Sequence, residues 1–116
     1  MNSQARSWTW ETFCQWAFGP QVLVQMATLA ADARMRLAFL REVDHDPAAV
    51  STLKHFAREI RDRASGRRWD DEAAAADTIL WQLNAGPPTT AALDRMEHAC
   101  AGLERSLAAR ARSMAA

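Results

Sequence analysis

Residues 22–40 read VLVQMATLAADARMRLAFL, and this stretch predicts the fold more directly than any other. Its apolar side chains recur every three or four residues, which is the period of one face of an α-helix. The positions on that face are Val22, Met26, Leu29, Ala33, Leu37 and Leu40. The segment from Val22 to Ala31 is apolar on both faces, so we expect it to form the most buried helix of the protein.

Helical spacing continues on both sides of this stretch, and no segment alternates with the period of two that marks a strand. Four turn signals divide the chain, at Gly19–Pro20, Asp44–Pro47, Ser65–Gly66 and Asn84–Pro88. Asp46 can cap a helix that begins at Pro47, and Gly66 can take the left-handed conformation that ends one. The pattern predicts one all-α domain over residues 1–116, a compact and mainly antiparallel bundle of about five helices. Their approximate ranges are 8–18, 20–43, 47–64, 70–84 and 90–113.

The charge balance and the cysteine content limit the classes of protein to which this chain can belong. The chain has 116 residues with 14 basic and 14 acidic side chains, so its net charge gives no general attraction to nucleic acid or to an anionic membrane. Residues 12–31 carry no charge, but three glutamines and the Gly19–Pro20 pair favour a buried helix over a membrane span. Cys14 and Cys100 form no metal or redox spacing and suit a reducing compartment, so we expect a cytoplasmic protein.

The sequence contains little that predicts catalysis. Glu42 and His45 have the Glu-x-x-His spacing of di-iron bundles, but neither His55 nor His98 supplies the second pair that such a site needs. No nucleophile lies in a Gly-x-Ser-x-Gly turn, and the four glycines form no phosphate-binding loop. We therefore expect a protein that is not an enzyme, with no catalytic residues, no metal site and no cofactor.

Two features predict a surface that binds another protein. Five of the nine aromatic residues lie between Trp8 and Phe18, and a basic stretch from Lys54 to Arg68 ends at Trp69. Tryptophan and arginine dominate the energetics of protein interfaces. The predicted partner-binding residues are Trp8, Trp10, Trp16, Arg61, Arg67, Arg68 and Trp69. The leading hypothesis is a non-catalytic binding module for a partner with an acidic surface: a small bacterial inhibitor or immunity-like protein, an adaptor or a regulatory subunit.

Three alternatives remain open from the sequence. Residues 84–93 have the form of a helix, a turn and a Thr-capped helix, as in helix-turn-helix DNA-binding regulators, although Asp94 and Glu97 carry the wrong charge for DNA. The 90–113 helix has a seven-residue apolar repeat that could pair with a second copy of the chain. A helical-bundle enzyme, or a small-ligand binder with a pocket between helices, is the third alternative.

Overall fold

The computed structural model describes residues 10–43 and 46–115, and for residues 10–19 and 115 it describes the backbone alone. It contains four helices: α1 (Trp10–Glu42), α2 (Pro47–Gly66), α3 (Asp70–Asn84) and α4 (Thr90–Ala115). The described ranges include no strand, which confirms the all-α prediction.

The number of helices differs from the prediction of five, because the two predicted helices 8–18 and 20–43 form one continuous helix. Pro20 lies inside α1. A proline removes one backbone hydrogen bond and bends a helix, but it does not end the helix when helix-forming residues continue on both sides.

The four helices form a ring of neighbours. Pairs that are consecutive in the chain pack against each other, and α4 packs against α1. In the diagonal pairs, α1 with α3 and α2 with α4, no Cα atoms of the described residues come within 8 Å of each other. Because the connections between helices are short, consecutive helices run antiparallel. Helices α1 and α3 therefore occupy opposite corners of the bundle, and their outer faces point in opposite directions.

The core consists of two stacked clusters of apolar side chains. One cluster includes Leu37, Leu53, Ile79 and Met96, each from a different helix. The other includes Met26, Ile60 and Leu103, and adds Trp69 from the turn between α2 and α3. All four helices thus contribute a buried stripe over most of the bundle's length.

Two of the helix boundaries follow the predicted capping chemistry. Asp46 caps α2, since its side chain accepts a hydrogen bond from the amide of Ala48 at 3.0 Å, and Pro47 is the first helical residue. Thr89 caps α4 by accepting a hydrogen bond at Oγ1 from the amide of Ala92 at 3.1 Å. Side-chain acceptors of this kind satisfy amides that lack a partner within the first helical turn.

The end of α2 differs from the prediction. Gly66 stays in the helix, and the left-handed residue is Arg68, with φ of 59°. The amide of Arg68 donates to the carbonyl of Ser65 at 3.1 Å, and the amide of Trp69 donates to the carbonyl of Ala64 at 2.9 Å. These two bonds define a Schellman motif, in which the left-handed position usually holds glycine. The motif lies two residues later than Gly66 because burying Trp69 fixes where the chain turns into α3.

Helix α1 is not the most buried helix, contrary to our expectation from its sequence. Its inner face is buried, but Val24 is 67 % exposed, Met35 is 68 % exposed and Phe39 is 43 % exposed. In a four-helix ring, each helix is covered only on the side that faces its two neighbours. The second apolar face of α1 therefore lies on the outside of the protein.

The apolar repeat of α4 is used within the bundle. Five members of the repeat are buried in the core, Leu93, Met96, Cys100, Leu103 and Leu107, whereas the sixth, Met114, is 41 % exposed. The folded chain therefore already covers most of this stripe, and a homo-oligomer through the 90–113 helix stays a prediction. As for membranes, no helix in the described part of the chain combines the length and the apolar character that a span would need.

Candidate functional site

An exposed tryptophan marks the seam between α2 and α3. Trp81 is 75 % exposed, the largest exposed fraction among the large hydrophobic side chains of the described residues. Leu80 and Leu83, on either side of it in the sequence, are buried. Because successive residues turn by 100° around a helix, the residue after Leu80 points away from the core. Trp81 thus projects from α3 while its neighbours hold the helix in place.

Trp81 lies at the edge of an open groove of about 480 Å³. We call this the Trp81 groove, and its lining residues are Arg61, Asp77, Thr78, Leu80, Trp81 and Asn84. Arg61 comes from α2 and is half-buried, whereas the other five come from α3. Its guanidinium lies 3.2 Å from the carboxylate of Asp62 and 3.8 Å from that of Asp77. The groove therefore combines an aromatic ring with a guanidinium held by two acids.

The surface continues from the Trp81 groove towards the other end of the seam. Asn84 also lines a second groove of about 350 Å³, between the start of α2 and the turn before α4. The other residues of that groove are Pro47, Val50, Lys54, Leu83, Gly86, Pro87 and Pro88. We call the two grooves together the α2–α3 surface. Its composition is mixed: the Trp81 groove is lined mainly by polar residues around one indole, and the second groove is lined mainly by apolar ones. Protein interfaces combine apolar and polar groups in the same way.

Cations without acidic partners lie along this surface. Lys54 lines the second groove and Arg58 follows it by one turn of α2. Neither forms an ion pair with any described residue. Arg58 and Asp62 have the i,i+4 spacing of a helical ion pair, but Asp62 binds Arg61 instead. Glu59 and Arg63 have the same spacing and do form an ion pair, at 3.4 Å. Positive charge on this side of α2 is therefore only partly neutralised.

The predicted binding residues are not brought together in one place. Arg61 lies in the Trp81 groove, whereas Arg67 and Arg68 lie in the turn between α2 and α3. Trp69 is only 3 % exposed and belongs to the core, so the prediction that its ring contacts a partner is wrong. Its indole packs against Arg67 and Arg110, whose guanidinium carbons lie 5.8 and 4.8 Å from the ring centroid. Helical periodicity did not predict the burial of Trp69, because this residue lies in a turn and the direction of its side chain follows from the turn geometry.

Trp8 lies outside the described residues. Trp10 and Trp16 lie in α1, within the part whose backbone alone is described, so their role as binding residues stays a prediction. The sequence does contain a signal for the exposure of Trp81. Trp81 falls outside the apolar series Ala76, Leu80 and Leu83, and a large aromatic off the core stripe of a helix is exposed unless something covers it.

The ionisable groups near the core serve the fold. Glu72 is fully buried, and both of its oxygens bind the guanidinium of Arg110, with Nη2 at 3.2 Å from Oε1. Cys100 is buried, and its thiol donates to the carbonyl of Ala30 at 3.4 Å. Burial, with a smaller contribution from the charge of Glu104, raises the pKa of Cys100 to about 11. Such a thiol is a poor nucleophile at neutral pH.

Metal-binding chemistry gains no support from the geometry. The described residues include no group of three or more His, Cys, Asp or Glu side chains positioned to hold a metal ion. Of the Glu42–His45 motif, Asp44 and His45 lie outside the described residues.

Comparisons with protein-family models, with curated protein sequences and with solved structures gave no match. A proposal about the function of this chain therefore rests on the properties of the α2–α3 surface.

Proposed function

We propose that this protein is a non-catalytic protein-binding module that acts through the α2–α3 surface, as an inhibitor, an adaptor or a regulatory subunit. The observation that carries the proposal is the exposure of Trp81 beside Arg61 in an open groove. Tryptophan and arginine are among the residue types most enriched at the energetic hot spots of protein interfaces.

The free energies expected for each kind of contact indicate which groups would determine the affinity. Covering a tryptophan that is 75 % exposed removes on the order of 150 Å² of apolar surface from water, which corresponds to about 4 kcal/mol at most. A solvent-exposed ion pair contributes about 0–1 kcal/mol. Trp81 would therefore supply most of the binding energy. Lys54 and Arg58, which lack acidic partners within the described residues, would favour a partner with an acidic surface.

The test is a quantitative affinity capture from nuclease-treated extract with three forms of the protein: wild type, Trp81→Ala and Met114→Ala. Met114 is a matched control, because it is an exposed apolar residue, 41 % accessible, on a different helix. We expect wild type and Met114→Ala to retain one stoichiometric partner protein. Trp81→Ala should weaken binding by at least about 30-fold, or about 2 kcal/mol, without a change in melting temperature.

Capture by Trp81→Ala at the wild-type level would contradict the assignment of this surface. A double variant, Lys54→Glu with Arg58→Glu, tests the acidic character of the partner. We expect it to slow association and to reduce the salt dependence of binding. An unchanged association rate would show that the partner is not acidic at this contact.

The DNA-binding alternative is less well supported by the contacts of α4. Glu97 binds Arg41 of α1, at 3.0 Å between Oε2 and Nη2, and Asp94 binds the same guanidinium. The first turns of α4 thus carry acids that form structural contacts to α1. Loss of all captured material on nuclease treatment would favour the DNA-binding alternative over the protein-binding proposal.

A further inference from the structure

The first turns of α1 extend past the end of the bundle. Gln25 of α1 accepts a hydrogen bond from Arg63, and α2 ends three residues later, about 4.5 Å along its axis. Helix α1 begins 15 residues before Gln25, about 22 Å away in the same direction. At the contact of Ala30 with Cys100, α4 ends 15 residues later, or about 22 Å, and α1 begins 20 residues earlier, or about 30 Å. Helix α1 therefore continues roughly 17 Å past the end of α2 and roughly 8 Å past the end of α4.

The core side of α1 becomes polar in these projecting turns. Within the bundle, Leu23, Met26 and Ala30 occupy the core side and are buried. Steps of three and four residues, which keep to one side of a helix, lead back from them to three positions in the projecting turns. Those positions are Thr12, Gln15 and Gly19. The projecting turns therefore offer no apolar stripe on the side where a further helix of a bundle would pack.

The outer side of α1 becomes aromatic in the same turns. Val24 is 67 % exposed and Thr28 is exposed, so both lie on the outer side. Helical spacing leads back from them to aromatic residue types in the projecting turns. We call the whole set the α1 outer face: Trp10, Phe13, Ala17, Val24, Thr28 and Ala31. The apolar outer side thus continues beyond the end of the bundle.

Charge is absent from every side of this part of α1. Residues 12–31 include no Asp, Glu, Lys or Arg over about 30 Å of helix. Glu11 precedes the run and lies about 100° from Trp10, towards the core side. Arg34 follows the run and is neutralised by Glu104, with Nε and Oε1 3.5 Å apart. A protein partner tolerates charge at the rim of its interface, whereas hydrocarbon penalises charge on every side that enters it.

We infer that the α1 outer face binds the surface of a lipid bilayer, with α1 lying in the plane of the interface. Tryptophan accumulates at the level of the lipid headgroups, and helices that lie in this plane carry Trp and Phe on the buried side. At the same end of the bundle, Arg67 and Arg68 are balanced by Asp70 and Asp71. Apolar insertion, and not attraction to anionic lipid, therefore drives this binding.

A groove beside the α1 outer face has the chemistry of a site for an acyl chain. It lies between α1 and α4 and has a volume of about 220 Å³, room for about seven groups of the size of a methylene. Its one ionisable lining residue, Glu104, is already paired with Arg34. The other lining residues are all apolar: Leu23, Val24, Ala27, Leu107, Ala108 and Ala111.

Membrane binding through α1 does not depend on the function proposed above. Because α1 is diagonal to α3, the Trp81 groove lies on the opposite side of the bundle and stays accessible at a bilayer. A few inserted side chains without a covalent anchor give weak, reversible binding. We expect half of the protein to be bound at about 0.1–1 mM lipid, as for a single acyl anchor or weaker.

The experiment is flotation of the full chain with vesicles of phosphatidylcholine, a neutral lipid, in about 50 and about 500 mM salt. Wild type should float with the vesicles equally at both salt concentrations. Val24→Glu should bind at least about 10-fold more weakly, because it places a charge in the inserted face. Ala74→Glu is the matched control, since it makes the same charge change at an exposed position of α3. Wild type that does not float, or equal binding of the two variants, would overturn the inference.

Tryptophan fluorescence tests which end of the protein enters the bilayer. Brominated phosphatidylcholine quenches only indoles that insert, so it should quench wild type and Trp81→Phe alike. A triple variant, with Trp8, Trp10 and Trp16 each changed to Phe, should still float but lose this quenching, because Trp69 is buried and Trp81 lies on the far side. Circular dichroism of each variant checks that the fold is kept. Quenching that persists in the triple variant would show that α1 does not insert.

Discussion

Arg68 is an arginine at a position whose backbone conformation favours glycine. With φ of 59°, it occupies the left-handed residue of the Schellman motif that ends α2. A residue with a Cβ atom is strained there by about 1 kcal/mol relative to glycine. We expect Arg68→Gly to raise the free energy of unfolding by about 0.5–1 kcal/mol, measured by urea denaturation.

The neighbouring arginine provides a matched control. Arg67 has φ of −105°, so glycine relieves no strain there and removes the stacking of Arg67 on Trp69. Arg67→Gly should therefore lower stability. Gly66→Ala should raise it, because Gly66 is helical and a Cβ atom at that position meets nothing within 4 Å. If Arg68→Gly proved as destabilising as Arg67→Gly, the assignment of strain to Arg68 would be wrong.

The pairing of Glu72 and Arg110 is the other residue-level feature that stability measurements can test. Glu72 has no exposed surface, and Arg110 both binds it and stacks on Trp69. Arg110→Ala leaves a buried carboxylate without its partner, which typically costs 3–5 kcal/mol. Because the Arg110 side chain is 33 % exposed, water recovers part of this cost, and we expect a loss of about 2–3 kcal/mol.

Arg112→Ala is the control for that loss. Arg112 is exposed on the same helix and forms no ion pair within the described residues, so its removal should change stability by less than about 0.5 kcal/mol. Adding Glu72→Gln to Arg110→Ala should recover part of the stability, because a buried amide costs less than a buried charge. Equal stability of Arg110→Ala and Arg112→Ala would show that the pair contributes nothing.

At the scale of helices, the sequence predicted a helix boundary correctly where a capping side chain next to the boundary determines it. Asp46 with Pro47 and Thr89 mark the starts of α2 and α4 where capping predicts them. The predicted range 70–84 matches α3. The α1 break at Pro20 was predicted and is absent, because a proline's local cost does not decide whether the surrounding turns stay helical.

The candidate site was harder to predict than the helices. Residue type alone made Trp69 and Trp81 equivalent in the sequence, yet one is buried and the other is exposed. What separates them is packing between helices: a turn directs Trp69 inwards, while Leu80 and Leu83 fix the outward direction of Trp81. Likewise, the second apolar face of α1 was visible in the sequence, but the number of neighbouring helices decides whether it is covered.

At the scale of the whole molecule, the burial of Cys100 couples stability to pH. Its pKa is about 9 in an unfolded chain and about 11 in the fold, mainly because burial disfavours the thiolate. The folded state therefore holds this proton more tightly. Its contribution to stability is complete below pH 9 and is lost as the pH rises through about 11. We expect Cys100→Ala to show a smaller loss of stability than wild type between these pH values, measured by urea denaturation at each pH.

The reactivity of the same thiol can be used to measure how often the bundle opens. Cys100 donates to the carbonyl of Ala30, across the contact between α4 and α1, so a reagent reaches the sulfur only when these two helices separate. In a Cys14→Ser background, the rate of disulfide exchange at pH 8 thus measures how often the closed protein opens. The rate of chemical modification at one buried sulfur atom therefore reports the rate at which the two longest helices, α1 and α4, separate.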